Sequence, residues 1–309
     1  MPIRPPHRLS PGDTVALVGP ASPLKTEAEV LGAMAAVEAL GLRVKAYPSA
    51  RAKFDYLAGT DKQRAADLNR AIADEKIAGI FCIRGGYGSS RLLALIDWKA
   101  AGKSRKPFLG FSDLTSIIGG LHSQAGLVGI HAPTAAFFLK HPKEGEPSTA
   151  AIRKFIFEGW GGTSYRKLCG SDFAPRIVKR GQAEGVLVGG NLSLFAGLVG
   201  TPYLPKPRRA ILFLEEIHEK PYKLDRYITQ LANAGFFKNV VGIALGDFTD
   251  CDPVAPDTGT SQEVLANCLK PLGVPILAGL PIGHCRPSYP LPLGVTARLD
   301  ATRGDLVLA

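Results

Sequence analysis

Ser112 stands in PFLGFSDLT (107–115), at the end of an apolar run and just before a segment of helical pattern. A serine there has two uses. Its side-chain oxygen can cap a helix by accepting from an orphan backbone N–H. Alternatively its hydroxyl can attack a carbonyl carbon, provided that a base lies within hydrogen-bond reach and a carboxylate orients that base. Candidates for both partners close apolar runs further on: Glu215 and Glu216 end AILFLEE, and His284 ends ILAGLPIGH. The turn G-F-S-D-L lacks the second glycine of a G-x-S-x-G elbow, so the local motif alone does not decide between cap and nucleophile. A fourth stretch, RGGYGSSR (84–91), also follows an apolar run. It is not a dinucleotide fingerprint, because G-x-G-x-x-G is absent and no acidic residue ends the next strand. Nor is GKS at 102–104 a phosphate loop, because Asp97 occupies the place of its first glycine. What remains is a glycine loop whose bare N–H groups can approach a ligand closely, as an oxyanion hole requires.

The elements that must position these residues are legible as alternating patterns. Strand-like runs at 13–21, 43–48, 77–86, 106–111 and 126–133 are separated by helical periodicity at 27–41, 61–74, 89–97 and 113–124. Regular alternation of this kind predicts a doubly wound parallel sheet with helices on both faces. Ligands then bind beyond the carboxyl ends of the strands, where loops 19–23, 84–89 and 111–114 would share one edge. After about residue 140 the pattern changes. Polar HPKEGEPSTA, a helix near 148–158 and GWGGTS read as a linker over 141–165, which divides an N-terminal domain (1–140) from a C-terminal one (166–309). The second half carries strand-like GQAEGVLVGG, RRAILFLEE, VVGIALGDF, VPILAGLP and TARLDATRGDLVLA among many Pro and Gly turns, the signature of a more β-rich domain.

Composition narrows the function classes. The chain has 309 residues, 46% hydrophobic and 21% charged, enough for two globular cores. The opening MPIRPPHRLSPGD has no apolar run behind its basic residues, and no stretch reaches the roughly 20 apolar residues of a spanning helix, so no export, no membrane anchor and a cytoplasmic setting are expected. Five scattered cysteines without C-x-x-C argue for free thiols rather than a disulfide framework or a zinc ribbon. The six histidines form no H-x-x-x-H or H-E-x-x-H, and the acidic loop GDFTDCDPVAPD (246–257) lacks the central glycine and closing glutamate of a calcium hand, so neither metal nor other cofactor is expected. A net charge of +10 invites a nucleic-acid reading. The basic residues are dispersed, however, and KSRK (103–106) has no interleaved aromatics, so nucleic acid is not expected and a small anionic ligand suits the charge better.

In order along the chain, GTDKQRAADLNRAIAD, IRGGYGSSRLL, LGFSDLT, VGGNLSL, LFLEE with PYKLDRYITQL, LGDF and GLPIGH resemble the LD-carboxypeptidase family of serine peptidases, from about Asp13 to the C-terminus. That family includes murein tetrapeptide LD-carboxypeptidases and microcin C self-immunity peptidases. The resemblance implies a flavodoxin-like N-terminal domain, a β-rich C-terminal domain and a Ser-Glu-His triad at their interface. Carried over residue by residue, the nucleophile falls on Ser112, the acid on Glu215 and the base on His284. The oxyanion donors fall on the N–H groups of Asp113 and of one glycine of the RGGYG loop, Gly86 or its neighbour Gly85, while Glu216 stays open as the orienting acid. The implied substrate is a small peptide, the murein tetrapeptide of peptidoglycan recycling, losing its terminal D-Ala; an aminoacyl-nucleotide conjugate is the alternative, for which only Trp160 could offer a platform to the base. A non-catalytic ligand-binding module is a second alternative. Arg84 and Arg226 are candidates for the terminal carboxylate. Tyr87 and Asn191 are further candidates for substrate binding, and a homodimer is expected.

Overall fold

The computed structural model of the chain describes residues 3–140, 146–252 and 259–309. Its strands are β1 (Thr14–Val18), β2 (Arg43–Ala46), β3 (Gly79–Cys82), β4 (Phe108–Gly110), β5 (Gly129–His131), β6 (Arg176–Lys179), β7 (Gln182–Asn191), β8 (Ala210–Ile217), β9 (Val240–Thr249), β10 (Ile276–Ala278), β11 (Leu291–Leu293), β12 (Thr296–Asp300) and β13 (Asp305–Leu308). They form two sheets, ordered β11-β5-β4-β3-β1-β2 and β13-β12-β7-β8-β9-β10-β6.

In the first sheet β1 to β5 run parallel in flavodoxin-like order. The continuous apolar runs of β1 and β3 suit strands covered on both faces. The order reverses between β1 and β3, and the loops leaving that point, 19–23 and 84–89, lie together as expected: Ser22 N–H donates to Gly85 O at 3.3 Å and Tyr87 N–H to Ser22 Oγ at 3.1 Å. Helices α1 (Glu27–Glu38) and α2 (Asp61–Ala73) each begin with a capping box, Thr26 with Glu29 and Thr60 with Gln63.

The second sheet is mixed. β7 to β10 are parallel, with β12, β13 and β6 antiparallel at the edges. β8 is its central strand, and because successive residues of a strand face opposite sides, Glu215 and Glu216 are buried on different faces.

Several expectations need correction. The segment 89–97 is not a helix: a single 3-10 turn covers Ser89–Leu92, and Asp97 caps the helix α3 (Trp98–Ser104) by accepting from Ala100 N–H at 2.9 Å. KSRK therefore begins at the end of that helix rather than lying wholly in a connecting link. The segment 113–124 is a 3-10 turn (Ser112–Leu114), the helix α4 (Thr115–Gly120) and one π turn (Leu121–Ala125). TARLDATRGDLVLA is a hairpin of β12 and β13, not one strand. Two short strands, β6 and β11, escape the sequence patterns; β11 (LPL) carries a proline, tolerated because it lies at the edge of its sheet.

The reading of 141–165 as a linker does not describe its second part. Residues 146–157 form a helix whose Ile152 and Ile156 join the core of the first sheet, while 141–145 lie outside the described residues. The C-terminal half also returns to the first sheet, because Leu291 of β11 pairs with His131 of β5. Asn191 N–H, at the end of β7, donates to Thr115 Oγ1 at 3.0 Å and ties the second sheet to α4.

Candidate active site

Ser112 leaves β4 with φ +61°, in the left-handed region that a side chain with Cβ rarely adopts. Its hydroxyl does not cap a helix. The N-cap positions of the 3-10 turn and of α4 are Phe111 and Leu114, and neither has a side-chain cap bond. The cap reading of the serine is thereby set aside, and the strained turn presents a half-buried hydroxyl beyond the sheet edge.

Against it packs the glycine loop. A Cβ on Gly85 would lie 3.1 Å from Ser112 Cβ and 3.3 Å from its Oγ. Gly86 has φ +108°, and a Cβ there would meet Ser22 Oγ at 2.5 Å, so only glycine lets this loop close over the loop after β1. The Asp113 carboxylate, buried beside the serine, accepts from Gly88 N–H at 3.3 Å and Ser89 N–H at 2.7 Å, and Ser89 Oγ donates back to Asp113 O. With Tyr87, Gly88 and Ser89 so engaged, the N–H groups of Gly85 and Gly86 have no acceptor among the described residues.

Residues that sequence reasoning passed over hold this loop from behind. Arg64 of α2 is fully buried; its guanidinium donates to Gly88 O at 3.0 Å, to Pro20 O and to Gly59 O at 3.2 Å, and pairs with Asp61 at 2.5 Å. A signal for it existed: Arg64 takes an apolar-face position of α2, in line with Leu68, Ala71 and Ile72, where an arginine must find partners inside the fold.

The second sheet and the loop after β10 bring Glu215 and His284 to the same place. Glu215 is wholly buried, and its Oε2 lies 2.7 Å from His284 Nδ1. Gly283, at φ +125°, makes the contact possible, because a Cβ there would stand 2.7 Å from Glu215 Oε2. The His284 ring packs on Phe111, the residue before the serine, with centroids 4.7 Å apart. Burial pushes the imidazole toward its neutral form, but the Glu215 carboxylate, aided by Glu216 and Asp247, outweighs that and holds its proton affinity above the ordinary histidine value. Glu216 faces the other way: it accepts from Asn191 Nδ2 at 2.6 Å, Ser193 N–H at 2.8 Å and Ile217 N–H at 2.9 Å.

The candidates for substrate binding fare differently. Asn191 is 1% exposed and its amide is committed to Glu216 and to the start of the helix Leu192–Ala196, so its expected contact with substrate is corrected to a structural one. Arg84 is half-buried, with Nη1 donating to Pro23 O at 3.1 Å. Tyr87 is 50% exposed and meets Tyr56 edge-on at 5.7 Å. Arg226 is exposed over the Tyr222 ring, and among the described residues no hydrogen bond or ion pair joins it to Ser112, Glu215 or His284. Trp160 packs on Phe155 and the core rather than standing free as a platform. All five cysteines are free thiols, no group of three or more His, Cys, Asp or Glu side chains fit for a metal occurs among the described residues, and none of their helices is long and apolar enough to cross a membrane. Residues 253–258 of the acidic loop lie outside the described residues.

A parallel sheet with a serine in a left-handed turn is thus joined to a second sheet whose buried Glu215 meets His284 beside that turn. Family models of the LD-carboxypeptidase N-terminal and C-terminal domains match residues 15–132 and 184–299, and the chain belongs to the LD-carboxypeptidase family. It is 35% identical over 305 residues to the probable murein peptide carboxypeptidase of Bacillus subtilis (98% of this chain, 93% of that protein). Over 300 residues it is 33% identical to the murein tetrapeptide carboxypeptidase of Pseudomonas aeruginosa (94% of each). A solved structure similar in fold is that of the microcin C7 self immunity protein MccF in its wild-type apo state, with TM-score 0.90 and 24% identity over 99% of this chain and 98% of that one.

Proposed function

We propose that the protein is a serine-type LD-carboxypeptidase that releases C-terminal D-alanine from a murein tetrapeptide in the cytoplasm, by hydrolysing the amide that joins it to an L-centred residue. The observation that carries the reading is the hydrogen bond of 2.7 Å between buried Glu215 and His284, on a ring packed against the residue before Ser112. With Nδ1 turned to Glu215, Nε2 is the nitrogen left to serve as base. His284 takes the Ser112 Oγ proton as that oxygen attacks the carbonyl carbon, and N–H groups of Asp113 and of Gly86 or Gly85 hold the oxyanion. The imidazolium, stabilised by Glu215, then protonates the departing amine as the C–N bond breaks. A water molecule, deprotonated by His284, hydrolyses the acyl-serine and restores the hydroxyl. The net charge of +10 suits a peptide bearing several carboxylates, and the names of the two curated relatives support the substrate class. A homodimer is part of the proposal, checked by analytical ultracentrifugation.

The test is kcat/KM for peptides of one sequence ending in L-D, L-L or D-D bonds, with products identified by mass spectrometry. Inverting the terminal α-carbon exchanges methyl and hydrogen against the glycine loop, and a misplacement of about 1 Å can cost about a hundredfold in rate. The L-D peptide is therefore expected to exceed both others by at least that factor. Equal rates on L-D and L-L ends would remove the LD assignment and point toward a broader amidase or a conjugate-cleaving peptidase. A fluorophosphonate probe that left Ser112 unlabelled would remove the serine mechanism itself.

A further inference from the structure

His131, the last residue of β5, is 1% exposed, and neither of its ring nitrogens has a hydrogen-bond partner among the described residues. Buried polar atoms without partners are uncommon and costly, so two on one ring call for a reason. The surroundings supply one. The ring packs edge-on against Phe111 at 5.8 Å and against Phe213 at 5.4 Å. Phe111 is also the ring that supports His284, and Phe213 lies two residues before Glu215, on the same face of β8. His131 is thus bracketed between the supports of the acid and of the base. Glu215 meanwhile has one oxygen on His284, and its other, Oε1, is buried with no partner among the described residues.

We infer that His131 is a positioning residue for the Glu215–His284 pair: its ring N–H is the donor for Glu215 Oε1 through one ordered water, and fixes the carboxylate plane that orients His284. The role is open only to a neutral imidazole, which carries one N–H donor without adding a second charge. Full burial keeps it neutral, with the pKa pushed down to about 4, although the Glu215 charge acts the other way; His284 is the other ionisable group that acts on it. A charged ring would instead compete with His284 for the carboxylate. The groups acting on His284 itself are Glu215, Glu216 and Asp247.

The inference rests on the proposed serine mechanism, so its test reads that mechanism without relying on a peptide substrate. The second-order rate of fluorophosphonate labelling is measured against pH for the parent, His131→Phe, His131→Asn and His131→Gln. His131→Phe keeps the packing and removes the donor. It is expected to label about tenfold to a hundredfold more slowly, with its acid limb moved to lower pH as Glu215 loosens its hold on His284. At least one of the two amide variants, which retain an N–H, is expected to recover most of the rate and the parent limb. His131→Phe with the parent rate and limb overturns the inference, whereas an unlabelled parent overturns the serine mechanism instead. If His131→Phe does not fold, nitrogen-15 spectra of the unsubstituted protein decide. They are expected to show a His131 ring that is neutral between about pH 5 and 8, with one N–H at a hydrogen-bonded shift. A ring with neither nitrogen hydrogen-bonded would overturn the role.

Discussion

Glu215 and Glu216 are the same residue type at adjacent positions of one strand, both buried, yet they face different regions of the molecule. On one face Glu215 meets a histidine whose ring packs on Phe111, the residue before Ser112 in the other sheet's turn. On the other Glu216 is surrounded by donors: the Asn191 side-chain amide, the Ser193 N–H in the first turn of the helix after β7, and the N–H of the adjacent Ile217. The first carboxylate holds Nδ1 of His284 with one oxygen, while its other, buried, has no partner among the described residues, an arrangement suited to orienting an imidazole and stabilising its charged form. The second has both oxygens engaged, an arrangement suited to holding a strand end to a helix start. Burial alone does not mark a carboxylate as functional; what faces it does.

The comparison breaks first at the residues on the Glu215 side. Ser112→Ala and His284→Ala are each expected to lower kcat by about 10⁴-fold or more, with little further loss when combined, because members of a triad act as a unit. Losses that multiply in the double variant would separate the two residues into independent roles. Glu215→Gln is expected to cost about 10³- to 10⁴-fold in kcat while leaving the melting temperature near that of the parent, because an amide keeps the shape but favours the wrong tautomer. Gly283→Ala, which sets a methyl group against Glu215 Oε2 and strains a positive φ, is expected to lower kcat by about tenfold to a hundredfold. On the other face Glu216→Gln is expected to leave kcat within a few-fold of the parent and to lower stability by about 1 to 3 kcal/mol, read from denaturant unfolding. A larger kcat loss for Glu216→Gln than for Glu215→Gln would exchange the two roles.

The smallest effects are in pH. A base must be unprotonated to act, so the raised proton affinity of His284 sets the acid limb of kcat/KM above the ordinary histidine value of about 6.5, and Glu215→Gln is expected to lower that limb. In stability, the raised His284 affinity contributes fully below about pH 6.5 and is lost as pH rises through its folded value. The buried rings of His131 and His122, each with a pKa pushed by burial down to about 4, act in the opposite sense. The unfolded chain binds protons there that the fold refuses, so stability falls as pH drops from about 6.5 toward 4. Unfolding free energies measured across pH 4 to 9 check both signs; a stability that rose between pH 6 and 4 would contradict the burial of these two rings.

Much of the architecture is legible from local pattern, for a physical reason. Strand and helix alternation fixes a parallel sheet, and a parallel sheet gathers the loops after β1, β3 and β4 at one edge whatever their composition. Polar residues that close apolar runs single out Ser112, the Glu215–Glu216 pair and His284, although His284 lies six residues beyond the end of β10 rather than at its end. Short edge strands such as β11 and the 3-10 turn at Ser89–Leu92 carry too few residues for any period to register, and the helix at 146–157 looks like a linker until its isoleucines meet a core far away in sequence.

The sequence by itself determined the alternation of strand and helix, the loop edge, and the residue types brought to it, because hydrophobic periodicity and turn chemistry act over a few residues. Only the tertiary structure decided which of two adjacent glutamates reaches His284, since that depends on which face of β8 meets the other sheet. It also decided that Ser112 takes a left-handed turn instead of a cap, that Arg64 is buried behind the glycine loop, and that His131 comes to lie between Phe111 and Phe213. Each of these outcomes rests on contacts between residues distant in sequence, whose partners no local pattern names.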